Sequence, residues 1–176
     1  MSRDTLTPFS YAILVLVGRG GAGPHDLVRM ARQGRIYAAA AESQYYAEPK
    51  RLEQLGYLAS RKEPGRTHPR THYTLTEKGL QALRDWADQP VRFPRVLHEG
   101  VVRLLAADLV GEAPVRESIA GLRAELDELD RLLDVSEEVA AGLPHREKYL
   151  RINHRLARRL VAAHREWVDE VERELG

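Results

Sequence analysis

The sequence contains no cysteine, and this absence excludes several kinds of chemistry. Disulfide bonds, thiolate catalysis and cysteine-ligated zinc all require the sulfur that the chain lacks. Long apolar runs are also missing: the longest, residues 11–17, is far shorter than the roughly 20 residues that a membrane-spanning helix needs. The first residues lack the pattern of a basic secretory leader. Together these absences fit a reducing cytoplasm, which is the location we expect.

The net charge is small, only +1 over 176 residues, so the average over the chain does not indicate a nucleic-acid-binding protein. The distribution of charge is more informative. Residues 1–90 hold 13 lysines and arginines against 9 acidic residues, whereas residues 91–176 hold 14 against 17. A basic first half and an acidic second half predict two domains, 1–90 and 91–176, with different tasks.

A helix followed by a β-hairpin is predicted near the centre of the first half. Ser43 is a good N-cap, and Gly56 supplies the stop that a helix end prefers. Residues 57–63 and 71–75 have strand character, and the segment PGRTHPR between them is rich in turn-forming residues. With two helices before it and one after, this is the pattern of a winged helix-turn-helix domain. Pro49 either kinks the central helix or marks a later start for it.

A winged helix predicts a DNA-binding surface. The first turn of the central helix would face base edges, which glutamine can read, while cations later in the helix and at the hairpin tip would contact phosphates. The residues that these arguments select are Ser43, Gln44, Tyr45, Lys50, Arg51, Arg66, His68 and Arg70. The alternative is a solvated hairpin without a partner, because exposed arginines are common.

The second half is predicted to be nearly all helix, which makes the whole chain mainly α. Apolar residues there step by three and four, as in a coiled-coil seam. Two antiparallel helices cannot hide such wide stripes, so a second copy of the chain is the expected partner in a homodimer. The predicted dimerisation residues are Ile119, Leu122, Leu126, Leu129, Leu133, Leu156 and Leu160. In the alternative, a monomer folds both stripes back onto the winged helix. The predicted inner side of the last helix is Tyr149, Ile152, Leu156, Leu160, Ala163, Trp167 and Val171.

Catalytic chemistry is not predicted. The seven histidines lack the spacing of metal ligands, no serine lies in a nucleophile elbow, and no carboxylate pair stands on an apolar face. We therefore expect no enzyme, no metal and no cofactor. A planar organic effector is a candidate ligand for four aromatic residues, although aromatics at helical spacing are more often core. These residues are Trp86, Phe93, Tyr149 and Trp167.

Three motifs in order resemble the PadR family of bacterial transcriptional regulators. They are the residues PHDL at 24–27, Tyr46 followed by KRLE at 50–53 and by Gly56, and YTLTEKG at 73–79. The resemblance covers about half of the chain at the level of motifs. It implies a winged helix at the N-terminus followed by dimerisation helices, with Tyr46, Lys50 and Arg51 on the recognition helix.

The family resemblance also implies a function. A PadR-like protein would bind double-stranded DNA as a homodimer on an inverted repeat, usually as a repressor that an effector releases. A protein-interaction module is the rival hypothesis, in which the C-terminal helices bind a partner and the winged helix is a scaffold. The four cations Arg61, Lys62, Arg66 and Arg70 favour DNA, since a scaffold has no need of them.

Overall fold

The computed structural model of the protein describes residues 5–33, 40–64, 69–94 and 97–176. The chain forms two compact units, Met1–Arg92 and Phe93–Gly176. It is mainly α, with one small antiparallel sheet in the first unit. Among the described residues, none of the helices has the length and apolar character to cross a membrane.

The first unit has the element order of a winged helix. Its elements are α1 (Pro8–Val17), α2 (Pro24–Gln33), α3 (Gln44–Gln54), β1 (Leu58–Glu63), β2 (Arg70–Leu75) and α4 (Glu77–Ala87). Local residues define the start of α1, because Thr7 and Ser10 form a reciprocal capping box and Pro8 occupies the first helical turn. Pro49 does not end the central helix: α3 runs through it, with the proline ring fully buried.

The two strands pair from Leu58 opposite Leu75 to Glu63 opposite Arg70. A third segment joins them at the base. Ala22, in the loop between α1 and α2, exchanges both backbone hydrogen bonds with Tyr73, each 3.0 Å long. This bridge attaches the glycine-rich loop to the two-stranded sheet.

One apolar core holds these elements together. Its fully buried members come from every element of the unit except α4, and they are Ile13, Leu14, Val17, Ala22, Leu27, Val28, Tyr45, Leu52, Leu58 and Tyr73. The apolar side chains of α4 pack on this core only in part. Leu83 packs against the core, but Leu80 and Trp86 remain 37% and 42% exposed.

The second unit is built from helices throughout its described residues. They are α5 (Glu99–Leu105), α6 (Ala107–Val110), α7 (Glu112–Ala120), α8 (Leu122–Ala141) and α9 (Glu147–Glu174). The helices α8 and α9 form an antiparallel hairpin. Arginines of α9 bridge carboxylates of α8 along its length; for example, Arg158 reaches Asp130 at 3.1 Å and Asp134 at 2.5 Å. Each exposed pair contributes little, but together they fix how the helices align.

The apolar seam of this hairpin is intramolecular. Along α7 and α8 the buried positions recur at steps of three, four and seven, at Val115, Ile119, Leu126, Leu133, Ser136 and Ala140. Those of α9 recur at steps of three, four and seven, at His154, Ala157, Val161, Val168 and Val171. This corrects the prediction that assigned Ile119, Leu126 and Leu133 to a dimer. Their side chains are already buried within a single chain, whereas those of Leu122 and Leu129 are half-buried.

The predicted inner side of α9 is also corrected. Of that set only Val171 is buried. The residues Tyr149, Ile152, Leu156 and Leu160 are 68%, 51%, 50% and 37% exposed, and we call them the outer apolar face of α9. They recur at steps of three and four and therefore lie along one side of the helix. The helix has two apolar sides, and the one with smaller residues faces α8.

Two histidines connect α5 to α9. Nδ1 of His98 caps α5 by accepting the Val101 N–H at 3.2 Å, which places the ring proton on Nε2. That Nε2–H points at Nε2 of His164, 2.9 Å away, and Nδ1–H of His164 donates to the Leu160 carbonyl at 2.6 Å. The ring of His98 also packs edge-on against Trp167.

We expect His154→Leu to stabilise the second unit and to remove part of its acid sensitivity. His154 is 7% exposed, and its Nδ1 finds no hydrogen-bond partner among the described residues. Burial lowers the pKa of His154. The unfolded chain, with an ordinary pKa of about 6.5, thus binds the proton more readily, and stability falls as the pH drops below that value. Thermal melts of wild type and variant at pH 7.5 and pH 5.5 measure the effect.

The control for this prediction is His145→Leu. His145 is exposed in the same unit, so its replacement should leave the melting temperature unchanged at both pH values. A His154→Leu protein that loses as much stability as wild type on acidification would contradict the assignment of the buried imidazole.

Candidate nucleic-acid interface

The central helix α3 has two faces of different character. Its inward face, at steps of three and four, is Tyr45, Glu48, Pro49 and Leu52, all buried or half-buried. Its outward face is exposed and polar apart from one alanine, and it consists of Ser43, Gln44, Ala47, Lys50 and Gln54. Packing one face and exposing the other positions α3 to be inserted into a groove, as a recognition helix is.

Tyr45 does not lie on the exposed face, which corrects its predicted role in contacting DNA. Its side chain is 5% exposed, and its ring packs edge-on against Phe9 with centroids 5.1 Å apart. Burial also raises the pKa of its phenol. The prediction failed because two tyrosines are adjacent, and which of them faces the core depends on the phase of the helix relative to α1.

Ser43 stands where an N-cap was predicted, but its hydroxyl makes no capping hydrogen bond. Its backbone is already helical, at φ −57° and ψ −28°, whereas a capping serine needs an extended backbone. A turn of chain therefore precedes α3, and the Ala41 carbonyl accepts the N–H of Gln44 at 2.9 Å. The Ser43 side chain is exposed at the outward face.

The Tyr46 side chain contacts His25, a residue that was not predicted from the sequence to belong to the site. Its hydroxyl lies 3.1 Å from Nδ1 of His25, on α2, and the two rings pack edge-on. His25 is exposed, so the pair extends the outward face of α3 toward the start of α2. The PHDL motif contains His25, but nothing in the sequence shows which side chain it meets.

Lys50 and Arg51 are adjacent in sequence and differ in availability. Lys50 is exposed on the outward face. The Arg51 side chain turns inward and donates two hydrogen bonds to the Glu48 carboxylate, from Nε to Oε2 at 2.9 Å and from Nη2 to Oε1 at 2.7 Å. The guanidinium of Arg51 is thus engaged in an ion pair within the unit, and its contact with phosphate stays a prediction.

The cations of the hairpin are exposed but have different partners. Arg61 pairs with Glu63 at 2.6 Å, and Lys62 donates to Thr71 at 2.8 Å across the strands, yet both cations are exposed. Arg70 is exposed opposite Glu63 in the strand register. The predicted contacts Arg66 and His68 lie outside the described residues. The described part of the wing thus presents positive side chains beside α3.

His72 does not belong to this positive surface. Its side chain is 17% exposed and lies 3.6 Å from the Glu63 carboxylate. Its Nε2 is 3.3 Å from the Gly20 carbonyl, in the loop that pairs with the sheet. The imidazole therefore supports the base of the wing.

Arg29 and Arg32 are exposed cations of α2. Arg29 pairs with Asp26 at 2.8 Å and Arg32 with Glu42 at 2.8 Å. Both guanidiniums are more than 70% exposed, so these pairs can open at little cost.

The four aromatic residues proposed for an effector are in different surroundings. Trp86 stacks on Tyr11, with centroids 4.7 Å apart, and Trp167 packs against His98. Phe93 and Tyr149 are 93% and 68% exposed. Tyr149 and Trp167 are separated by five turns of α9, about 27 Å, so one small ligand cannot touch both within a single chain. Among the described residues no group of three or more potential ligands is arranged to hold a metal ion.

The described geometry defines a class: a winged helix with an exposed recognition helix, followed by a helical hairpin. No family model and no curated protein matches the chain. Several solved structures, however, are similar to it along most of its length. Bacillus subtilis PadR in complex with operator DNA superposes with a TM-score of 0.72 at 22% identity, covering 96% of this chain and 99% of that one.

Two further solved structures are similar to this chain in fold. The Vibrio cholerae virulence activator AphA has a TM-score of 0.72 at 26% identity, covering 94% of this chain and 96% of its own. The PadR-like transcriptional regulator BC1756 from Bacillus cereus has a TM-score of 0.72 at 13% identity, covering 98% and 100%. The chain has the fold of the PadR-family transcriptional regulators, as its motifs predicted. Proteins of that family are not enzymes.

Proposed function

We propose that the chain is a cytoplasmic, DNA-binding transcriptional regulator. The observation that carries this proposal is the outward face of α3, a row of exposed polar side chains on a helix whose other face is packed. Exposed Lys62 and Arg70 on the adjacent wing supply attraction to phosphates. The similar PadR of Bacillus subtilis was solved on operator DNA, which supports the same use of this fold.

The contacts divide into two kinds. Ser43, Gln44 and Ala47 would meet base edges in the major groove, because serine and glutamine can form hydrogen bonds with bases and an alanine methyl can pack on thymine. Lys50 and Arg70, with Arg66 and His68 of the wing, would contact the backbone and position the helix without reading sequence.

We further propose that the protein is a homodimer joined through the outer apolar face of α9. Four large apolar side chains in a row, each more than a third exposed, are unusual for a surface that meets only water. A two-fold dimer would place its recognition helices roughly 34 Å apart, one turn of DNA, on an inverted-repeat operator.

Repression released by a small aromatic ligand is the mode of regulation that we propose. Bacillus subtilis PadR was also solved with p-coumaric acid, although AphA is described as an activator. Trp86 or Trp167 would report a ligand by a change in fluorescence, and single Trp→Phe variants separate the two signals. A reporter gene downstream of the operator decides between repression and activation.

The primary test is fluorescence anisotropy with DNA from upstream of the gene against scrambled DNA, at two salt concentrations. Gln44→Ala should weaken binding to the operator by about 1–3 kcal/mol with little effect on scrambled DNA. Lys50→Ala should weaken binding to both DNAs and lower the salt slope by about one per subunit. Lys148→Ala, which removes the same charge from an exposed position of α9, is the control.

Equally weak binding to both DNAs by the wild type would contradict the proposal and favour the rival, a protein-interaction module. One observation supports that rival. Around α5 and α6, Leu97, Leu105 and Leu109 are 88%, 74% and 82% exposed, which is a second apolar surface available for a partner.

A further inference from the structure

Glu48 is the acidic residue most deeply involved in the packing of α3. Its side chain is 15% exposed and that of Arg51 is 30% exposed, whereas the ion pairs Arg29–Asp26 and Arg61–Glu63 of the same unit leave both arginines about two-thirds exposed or more. A half-buried bidentate pair resists opening far better than an exposed one.

The anchor of this pair is Ser10, on α1, which is 0% exposed. Its hydroxyl donates to Oε1 of Glu48 at 2.7 Å. It also accepts the Thr7 N–H at 2.9 Å and Nη2 of Arg51 at 3.1 Å. A hydroxyl has one proton and two lone pairs, so these three bonds use its full capacity. The cap of α1 and the inward face of α3 thus meet in one closed network.

The network also keeps Glu48 charged. Burial by itself raises the pKa of a carboxyl, but the hydrogen bonds from Arg51 and Ser10 outweigh burial and lower the pKa of Glu48. The carboxylate therefore stays ionised at neutral pH and continues to attract the guanidinium.

We propose that Glu48 is a specificity-determining residue, which holds Arg51 away from DNA phosphates and fixes α3 against α1. This inference rests on the proposed DNA-binding function. A free arginine at position 51, next to Lys50, would add attraction to any DNA sequence and thereby dilute readout of bases. By binding Arg51 internally, Glu48 limits that sequence-independent attraction and sets the orientation in which Gln44 and Ala47 are presented.

The test compares Glu48→Gln with wild type on the operator and on scrambled DNA over a range of salt concentrations. Glutamine keeps the size of the side chain and an acceptor for Ser10 but carries no charge, so the ionic attraction that draws the Arg51 guanidinium inward is lost. We expect binding to scrambled DNA to strengthen, its salt slope to steepen by about 0.9 per subunit, and the ratio of specific to non-specific affinity to fall several-fold. A purely structural defect would instead weaken binding to both DNAs.

Glu53→Gln is the matched control. It removes the same charge from the same helix, but Glu53 accepts from Ser60 at 2.5 Å rather than from an arginine. The double variant Glu48→Gln/Arg51→Gln should return binding to scrambled DNA to the wild-type level, because the released cation is gone. Arg51→Gln alone should leave the wild-type salt slope unchanged, and it supplies the test if Glu48→Gln does not fold.

The outcomes separate the inference from the function on which it rests. A wild type without preference for any DNA overturns both. A selective wild type whose specificity ratio survives Glu48→Gln overturns the role of Glu48 alone, as does a shallower salt slope in Arg51→Gln, which would place Arg51 on phosphate.

Discussion

Gly79→Ala is expected to destabilise the first unit by about 1–3 kcal/mol, the usual cost of overpacking. Replacing glycine by alanine within a helix normally stabilises, so the sign is reversed here. A Cβ atom built on Gly79 lies 2.2 Å from the Tyr57 carbonyl oxygen and 3.3 Å from Leu75 Cδ2. Because the nearest atom belongs to the backbone, no rotation of a side chain relieves the clash.

The backbone around Tyr57 is also tied in place. The hydroxyl of Thr76 lies within hydrogen-bond distance of the carbonyl oxygens of Gly56, at 2.7 Å, and Tyr57, at 3.0 Å. Lys78 donates to the Leu55 carbonyl at 2.6 Å, and its ammonium lies 4.4 Å from the centre of the Tyr57 ring. An alanine at position 79 must push α4 away from this turn, and several of these bonds would be lost together.

Guanidinium unfolding followed by Trp86 fluorescence, in a Trp167→Phe background, measures this effect in the first unit alone. Gly20→Ala is the control, since a Cβ there meets nothing within 4 Å. An unfolding midpoint for Gly79→Ala equal to that of Gly20→Ala would show that the turn relaxes and that the close approach has no energetic weight.

Leu156→Asp is expected to dissociate the proposed homodimer. Leu156 is the centre of the outer apolar face and is 50% exposed in the single chain. Placing a carboxylate there would bury an unpaired charge at the interface, at a cost of about 3 kcal/mol or more, which raises the dimer dissociation constant at least about 100-fold. Operator affinity should fall with it, because a monomer engages only one half-site.

Analytical ultracentrifugation across a concentration series gives the dissociation constant, and the same samples are used for operator binding. Ala162→Asp is the control: Ala162 is exposed on another side of α9 and receives the same charge. If Leu156→Asp sediments as wild type does, the subunits do not meet through this face.

Much of the first unit could be predicted because its signals are local. Thr7 with Pro8, Thr76 with Glu77, and the turn between two short strands each determine a boundary through nearby residues, and the observed elements begin and end within a residue or two of those boundaries. The PadR-like motifs then led to the correct fold.

The second half was harder because its last helix is apolar on two sides. Periodicity showed that Tyr149, Ile152, Leu156 and Leu160 share a face, which is correct, but not what the face meets. Close packing of α8 on α9 favours small residues such as Ala157, Val161 and Val168. Hydrophobicity alone ranks the larger residues first, and that is why the inner side was assigned to the wrong stripe.

Within the candidate site, contacts between helices decide which side chains turn inward. Arg51 has the charge of a phosphate contact, but it pairs with Glu48, three positions earlier, and donates to Ser10 of α1, 41 positions earlier. Tyr45 likewise depends on Phe9. Gln44 and Lys50 lie on the exposed outward face of α3, and their contact with DNA stays a prediction.

The two hydrogen bonds between Ala22 and Tyr73 have a thermodynamic consequence for recognition. A ribbon of two strands is marginal in water, and ordering such a ribbon on a ligand would consume conformational entropy. Here the loop that contains Ala22 is already bridged to the two-stranded sheet, and Gly21 lies at φ +74°, where a Cβ would collide with His72. If the wing contacts DNA as proposed, its strands would be preorganised, and little of the free energy of their contacts would be spent on ordering them.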